Sequence, residues 1–409
     1  MDAEAAADTT EPEAPGCPVT EFGQLREHAA VVDVPGLGSG SSLMVTRQED
    51  VRTMLTDPRF RCDPATVPSA VNSLPAVFEL VGMPEDLAYL GRGLLTRDGA
   101  DHSRLRTLVS RAFTVRRVSA LRPRVEALTD RLLDDVAAAG AGGRTVDLVS
   151  VFAYPLPIAV ICELVGVPEG RRAPWQELGR LFMAHDPERM PEVAREVVAQ
   201  VAELVEARRA EPADDLLTAL VGVHEDDGDR LTERELVTMV FDLVIAGFET
   251  TAHLLSKATL ALLTRPDQLA ALRADPGLWP RAVHELVRTC GPVPTGIPRY
   301  AAADVEIGGA TIPEGSTVLA GLLPANFDPR VYDGPDELDV RRDGGRGDGH
   351  VGFGQGAHYC LGAALARQET EVALRALVER FGDLRLAEEA AEPSQLGFYR
   401  LAELPVRVS

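Results

Sequence analysis

The chain has 409 residues, 45% of them hydrophobic and 25% charged, the composition of an ordinary globular protein with enough length for a large core. Its formal net charge of −22 excludes a general nucleic-acid binder and argues against docking on an anionic membrane surface. Cys17, Cys62, Cys162, Cys290 and Cys360 are scattered singly with no CxxC spacing, which excludes a disulfide framework or a zinc ribbon.

Residues 1–16 are acidic and Pro-rich and read as a disordered N-terminus. They lack the basic start and apolar core of a signal peptide, and no later apolar run is long enough for a membrane helix, so a cytoplasmic location is expected. AAVVDVPG and SSLMVTR read as strands around a Gly/Ser turn, and TRQEDVRTMLTD reads as a short helix with Thr46 at its N-cap. Residues 62–96 are irregular, and from about residue 101 to 290 the apolar spacing is helical almost throughout. TERELVTMVFDLVIAGFETTAHLLSKATLALLTR stands out: it predicts a helix roughly 50 Å long, apolar on most faces, as in a helix crossing a domain centre. After Gly291 the alternation in PRYAAADVEIGGATIPEGSTVLAG predicts a small sheet. A Pro/Asp/Gly-rich meander over 324–349 leads into FGQGAHYCLG, a final helix and two short strands. Helices precede and follow the strands rather than alternating with them, so the fold class is mainly α with a minor β part.

FGQGAHYCLG places Cys360 two residues after His358. Four chemistries compete there. An isolated cysteine is by default a buried structural thiol; a Cys/His pair can serve as nucleophile and base; zinc would need further soft ligands; an axial thiolate to haem iron needs one cysteine only. Gly354, Gly356 and Gly362 permit close backbone approach to the sulfur, and a helix starting just after it would stabilise an anion. The local chemistry favours the last reading and leaves the others open.

Phe353, Gly356, His358, Cys360, Gly362, Leu365, Ala366 and Arg367 match the pattern FxxGxHxCxGxxLAR, and on these residues the chain resembles the bacterial cytochrome P450 enzymes. The resemblance extends over roughly residues 20–409. It implies the cytochrome P450 fold, a single triangular helical domain over residues 17–409 with small sheets. It also implies haem b (iron protoporphyrin IX), with Phe353, Gly354, His358, Cys360 and Gly362 around it and Cys360 as the axial iron ligand.

Three further segments carry the resemblance. Ala246-Gly247-Phe248-Glu249-Thr250 interrupts the long apolar helix. A threonine there can simply bond back to the carbonyl one turn earlier, whereas burying an acid has a cost. The segment is similar to the family's AGx[DE]T, which implies that Ala246 and Gly247 open a groove for dioxygen. It implies too that Thr250 hydrogen-bonds the activated oxygen and that Glu249 relays protons to it through water. Glu285 and Arg288, spaced i,i+3 on one helix face, look like the family's structural ExxR pair, with Arg342 as third partner. His102 and Arg106 lie one turn apart in a segment resembling HxRLR, which holds a haem propionate; Arg299 matches the arginine that holds the other, and His358 is implied to add a further propionate contact. GADH stands where PPEH or PPDH is usual and PANFDP where AANRDP is common, and neither departure touches a proposed catalytic atom.

The resemblance implies a haem-thiolate monooxygenase, hydroxylation being the default reaction. Epoxidation, demethylation and aryl or C–C coupling use the same iron chemistry. A non-catalytic haem sensor and a Cys/His hydrolase are readings from other classes, and the Glu249–Thr250 pair favours the enzyme. Electrons are expected from a ferredoxin and an NAD(P)H-dependent ferredoxin reductase. Between Asp101 and Glu126 no acid occurs, against Arg104, Arg106, Arg111, Arg116, Arg117, Arg122 and Arg124. That stretch is either a solvated helix face or a docking patch for an acidic ferredoxin. Candidate substrate-pocket residues are Phe78, Leu80, Met83, Leu90, Leu181, Phe182, Ile245, Thr295, Ile297 and Phe398, each of which could equally be core packing. The mostly apolar set fits a hydrophobic small molecule. Lys257 is the single lysine among 41 Lys and Arg, which points to a GC-rich, actinobacterium-like genome and, by family analogy, to a monomeric enzyme of secondary metabolism.

Overall fold

The computed structural model describes residues 18–36, 41–70, 82–183, 186, 188–222, 231–343, 349–387 and 400–408; the acidic residues 1–16 lie outside this set. The described helices are α1 (Pro18–His28), α2 (Gln48–Thr56), α3 (Gly99–Ala112), α4 (Val115–Ala120), α5 (Arg122–Gly140), α6 (Pro155–Val165), α7 (Arg172–Met183), α8 (Met190–Ala210), α9 (Leu216–Gly222), α10 (Glu233–Leu263), α11 (Pro266–Ala274), α12 (Trp279–Cys290), α13 (Leu322–Asn326) and α14 (Ala363–Arg380). The strands are β1 (Val31–Pro35), β2 (Ser41–Val45), β3 (Phe60–Arg61), β4 (Val146–Asp147), β5 (Arg299–Ala301), β6 (Val305–Ile307), β7 (Ala310–Ile312), β8 (Thr317–Ala320), β9 (Arg385–Leu386) and β10 (Pro405–Arg407). The fold is mainly α with a minor β part.

Helix α10 begins with a capping box. The Glu235 N–H donates to Thr232 Oγ1 at 3.3 Å, and the Thr232 N–H donates to Glu235 Oε2 at 2.8 Å. Its 31 residues are apolar on most faces, and accordingly it packs against α6, α8, α12 and α14 rather than lying at the surface. Among the described residues it is the one helix long and apolar enough to cross a membrane, and most of it is buried inside the protein. Residues 62–96, irregular by sequence, contain short 3-10 turns at Pro64–Thr66, Glu85–Arg92 and Leu94–Thr96.

The largest sheet has the order β1-β2-β8-β5-β3, antiparallel except where β2 pairs in parallel with β8, Met44 opposite Leu319. It carries a second, smaller apolar cluster with α2. Thr46 does not cap α2. It is fully buried at the end of β2, where its hydroxyl donates to the Ala29 carbonyl at 2.8 Å, and the N-cap position falls on Arg47. The cap comes from elsewhere: the Gln48 N–H donates to Asp328 Oδ2 at 3.0 Å.

Glu285 and Arg288 pair within α12. Arg288 donates from Nε and Nη2 to the two carboxylate oxygens, both at 2.8 Å, and each side chain is 2% exposed. The remaining guanidinium hydrogens go to the carbonyls of Asn326, Pro335 and Glu337, and Arg342 Nε donates to Glu285 Oε1 at 3.1 Å. The pair thus ties α12 to the meander that follows α13. Burial pushes the Glu285 pKa up, but Arg288, the Asp339 N–H and Arg342 outweigh it and hold the carboxyl below its ordinary value. With the folded pKa depressed, the stabilisation is complete above the unfolded carboxylate range, about pH 4.3, and is lost as pH falls through the folded value. Glu285→Ala leaves a buried guanidinium without its carboxylate and is expected to cost about 3–5 kcal/mol in denaturant unfolding. Arg342→Ala should cost less, because Arg288 still holds Glu285 from both sides.

Candidate functional site

The loop before α14 folds back on itself. The Cys360 N–H donates to the Phe353 carbonyl at 2.9 Å, while Gly354 and Gly356 take φ +70° and +77°, where a side chain is strained. A Cβ on Gly356 would also sit 2.7 Å from the Leu55 carbonyl oxygen. Cys360 is accessible on one side, yet the protein around it pushes its thiol pKa up by desolvation. The Gly362 and Ala363 N–H groups and the charges of Arg106 and Arg367 pull it back. Arg106 donates to the Tyr359 carbonyl at 2.8 Å, and Arg367 donates to the Tyr359 hydroxyl at 3.3 Å with its guanidinium 5.5 Å over the Phe353 ring.

Beside this loop lies a cluster that joins His358 and His102, both in sequence motifs, to Cys62 and Asp98, which carry no signature. His358 Nε2 is 3.4 Å from Cys62 Sγ and 3.9 Å from Asp98 Oδ1, and its ring lies 4.1 Å from that of His102. Asp98 Oδ2 accepts the N–H groups of Cys62 and Asp63, both at 2.7 Å. Burial raises the Asp98 pKa, but His358 and these amides outweigh it and leave the carboxyl below its ordinary value. His102 is buried, and its Nε2 has no hydrogen-bond partner among the described residues. Burial first, then the neighbouring His358 and Arg106, push its pKa down to about 4. Arg299, also buried, acts on His102 and donates to the Leu55 carbonyl at 3.3 Å.

On α10, Ala246 is exposed in the middle of a buried helix, and the Thr250 hydroxyl donates to the Ala246 carbonyl at 2.8 Å. Gly247 sits where α6 crosses, and a Cβ there would come within 2.9 Å of Ile161 Cδ1. Glu249 is adjacent to Thr250 in sequence but about 100° away around the helix. Its carboxyl, 2% exposed, turns toward His253, with Oε1 3.8 Å from His253 Nε2. His253 meets Tyr154 edge-on, the Tyr154 hydroxyl lying 3.4 Å from each ring nitrogen. Burial lowers the His253 pKa against the pull of Glu249, so the imidazole is neutral near pH 7. Sequence reading missed Tyr154 and His253; the i,i+4 spacing of Glu249 and His253 was the available signal.

The other expected residues divide. Met83, Leu181, Ile245 and Thr295 are half-buried and Ile297 is exposed, whereas Leu90 is 5% exposed and belongs to the helical core. Phe78, Leu80, Phe398 and the Phe182 side chain lie outside the described residues. A cleft of about 650 Å³ between α11 and β9 shares none of the expected site residues. The acid-free run of arginines is less basic in space than in sequence. Arg104 pairs with Glu235, Arg117 with Asp214, Arg122 with Glu126 and Glu371, and Arg124 with Glu163. Arg111 and Arg116 are exposed at the surface.

Residues 176–275 and 278–402 match the family model described as Cytochrome P450. The chain belongs to the cytochrome P450 family. It is 44% identical over 395 residues to 6-deoxyerythronolide B hydroxylase of Saccharopolyspora erythraea, covering 95% of each chain. To mycinamicin IV hydroxylase/epoxidase of Micromonospora griseorubida it is 38% identical, over 89% of this chain and 88% of that one. The cytochrome P450 PksS of the Bacillus subtilis bacillaene polyketide synthase superposes with a TM-score of 0.84 at 34% identity, over 96% of this chain and 97% of that one. This P450 is a monooxygenase, and the family implies haem. The residues present fit that group. The Cys360 sulfur lies against two amide N–H groups and two arginines, as an anionic ligand requires. The unpartnered His102 Nε2, with Arg106 and Arg299 beside it, is a donor set suited to haem carboxylates. Gly356→Ala is expected to cost about 1–3 kcal/mol through backbone strain and its clash with Leu55, read as a lower Tm and a lower ratio of Soret to protein absorbance.

Proposed function

We propose that this P450 inserts one oxygen atom of dioxygen into a hydrophobic secondary-metabolite intermediate, reducing the other to water, with two electrons drawn from NAD(P)H through a ferredoxin reductase and a ferredoxin. The observation that carries the reading is the pairing of the Cys360 sulfur, favoured as an anion by the Gly362 and Ala363 amides, with the accessible Ala246, Gly247 and Thr250 on α10, which runs unbroken through the segment expected to interrupt it. Hydroxylation is the primary reaction. Epoxidation is the second reading, supported by the relative named hydroxylase/epoxidase. A cytoplasmic location fits the burial of α10, the one helix among the described residues long and apolar enough to cross a membrane.

Haem, when bound, supplies the iron centre at which dioxygen is activated. Cys360 would hold that iron as thiolate, and the Gly362 and Ala363 amides with Arg106 and Arg367 would favour negative charge on the sulfur. His102, Arg106, Arg299 and His358 would orient the group through its carboxylates. Because the Thr250 hydroxyl donates to Ala246, its oxygen is left as an acceptor on the open face of α10. Glu249 holds a proton-transfer carboxyl on the Tyr154–His253 side. Reaching Thr250 from there requires rotation of the side chain or a bridging water, a gated supply rather than a fixed contact.

The reduced, CO-bound protein should show the red-shifted Soret band of thiolate ligation, and Cys360→Ala should abolish it; a wild-type protein without Soret absorption would refute the reading. Thr250→Ala is expected to keep consuming NAD(P)H while product falls and hydrogen peroxide rises, whereas unchanged coupling argues against a role for the hydroxyl. For the ferredoxin, we expect Arg111→Ala and Arg116→Ala to slow reduction and flatten its salt dependence with the CO spectrum intact.

A further inference from the structure

The cluster beside the cysteine loop is drawn from three distant segments: Cys62 just after β3, Asp98 at the start of α3 and His358 two residues before Cys360. Among the described residues it is the one group in which three or more potential metal ligands converge. Cys62 Sγ, His358 Nε2 and a carboxylate oxygen of Asp98 all lie within 4.8 Å of one another. Cys62 is 3% exposed, and the Asp98 and His358 side chains are 13% and 11% exposed.

As hydrogen bonds the three do not close. His358 Nε2 lies 3.4 Å from Cys62 Sγ and 3.9 Å from Asp98 Oδ1, so two neighbours face one nitrogen, which has either one proton or one lone pair to offer. If the thiol donates to it, Asp98 Oδ1 faces a nitrogen with no proton left to give. If the nitrogen carries the proton, the thiol loses its acceptor, and 3.9 Å is too long for a sound bond to the carboxylate. Asp98 does not need Oδ1 for its structural work. Oδ2 alone accepts the Cys62 and Asp63 amides, both at 2.7 Å. Although Asp98 occupies the N-cap position of α3, its side chain makes no cap bond. Two amides therefore fix the carboxylate with its second oxygen turned to the histidine.

A cation satisfies all three at once. Tetrahedral zinc, with bonds of about 2.0–2.3 Å to sulfur, nitrogen and oxygen, holds its ligand atoms about 3.3–3.6 Å apart, close to the spacings here. Cys62 as thiolate and Asp98 as carboxylate cancel the charge of a divalent ion, so the centre carries no net charge into the protein. A thiolate beside an imidazole selects zinc over magnesium or calcium. With Nε2 facing the cluster, Nδ1 is left on the other side of the ring for a haem carboxylate. A carboxylate on the far nitrogen is the partner that zinc-bound histidines ordinarily have.

We propose that Cys62, Asp98 and His358 form a zinc site, completed by water, that clips together the end of β3, the start of α3 and the haem-binding loop. It goes beyond the monooxygenase reading and does not depend on it. Burial pushes the Cys62 thiol up to about 11, so the metal must displace a proton. The S–H bond breaks, the proton passes to solvent and a sulfur–zinc bond forms, with no change of oxidation state.

The test uses the untagged ferric holoenzyme, treated with a chelator and then equilibrated with zinc chloride by dialysis, zinc and iron being counted together by mass spectrometry. The wild type should hold one zinc per haem iron, with one sulfur at about 2.3 Å in the zinc K-edge absorption spectrum. Cys62→Ser and Asp98→Asn should each weaken binding by about a hundredfold, the upper end of what losing even a supporting partner costs, with the CO band kept. A wild type that retains no zinc overturns the proposal whatever the variants do. So does a zinc shell without sulfur, or an affinity unchanged in Cys62→Ser, which places the ion on another thiol. Failure of both variants to take up haem marks the cluster as packing and overturns it too. Failure of the monooxygenase reading is separate, because it appears as a missing CO band in the wild type.

Discussion

The thiolate proposed for Cys360 would place negative charge inside the protein, and what surrounds that sulfur sets the terms for the rest of this molecule. Desolvation is the largest influence on the Cys360 thiol, and it acts against the thiolate. The compensation is drawn from three places in the chain: the start of α14, Arg367 one turn into it, and Arg106 on α3. Tyr359 joins them, giving its carbonyl to Arg106 and its hydroxyl to Arg367. The position just before the cysteine is variable in the family pattern, yet here it holds both arginines toward the sulfur.

The opposite wall follows from a different constraint. A helix that is apolar all round must be buried all round, unless something else fills the space beside it. On α10 the exceptions are concentrated in two turns, where Ala246 is small, Gly247 lets α6 approach and Thr250 satisfies its own donor. The two central acids meet different neighbours. Glu249 lies among Tyr154 and His253, whereas Asp242, at nearly the same helical phase but about 10 Å back along the axis, lies against Gly93.

Much of this was legible in the sequence because it depends on spacing. The Phe353–Arg367 pattern, the ExxR pair and the long helix are periodic or contiguous, and the structure joins Arg342 to Glu285 as well. What was not legible depends on partners distant in sequence. Thr46 looks like an N-cap until the turn between α1 and β1 takes its hydroxyl, and Asp98 and Cys62 meet His358 only after some 260 to 300 residues of chain have folded back. The direction of Glu249 could not be inferred from its adjacency to Thr250, since Tyr154 comes from the start of α6. The ion pairs of the arginine run were not legible either, because most of the acids that meet Arg104, Arg117, Arg122 and Arg124 lie far off in sequence.

The borrowed cap on α2 bears on how the chain is made. During synthesis the β1–β2 hairpin and α2 emerge first, but β2 finds its parallel neighbour only with Thr317–Ala320, and the Gln48 amide finds its acceptor only with Asp328. For most of translation the N-terminal segment therefore has an unpaired strand edge and an uncapped helix, features that invite mispairing with other chains. The last quarter of the polypeptide, which also brings Cys360, closes both. Completion of the N-terminal sheet and arrival of Cys360 are thus nearly the same event in the life of the nascent chain.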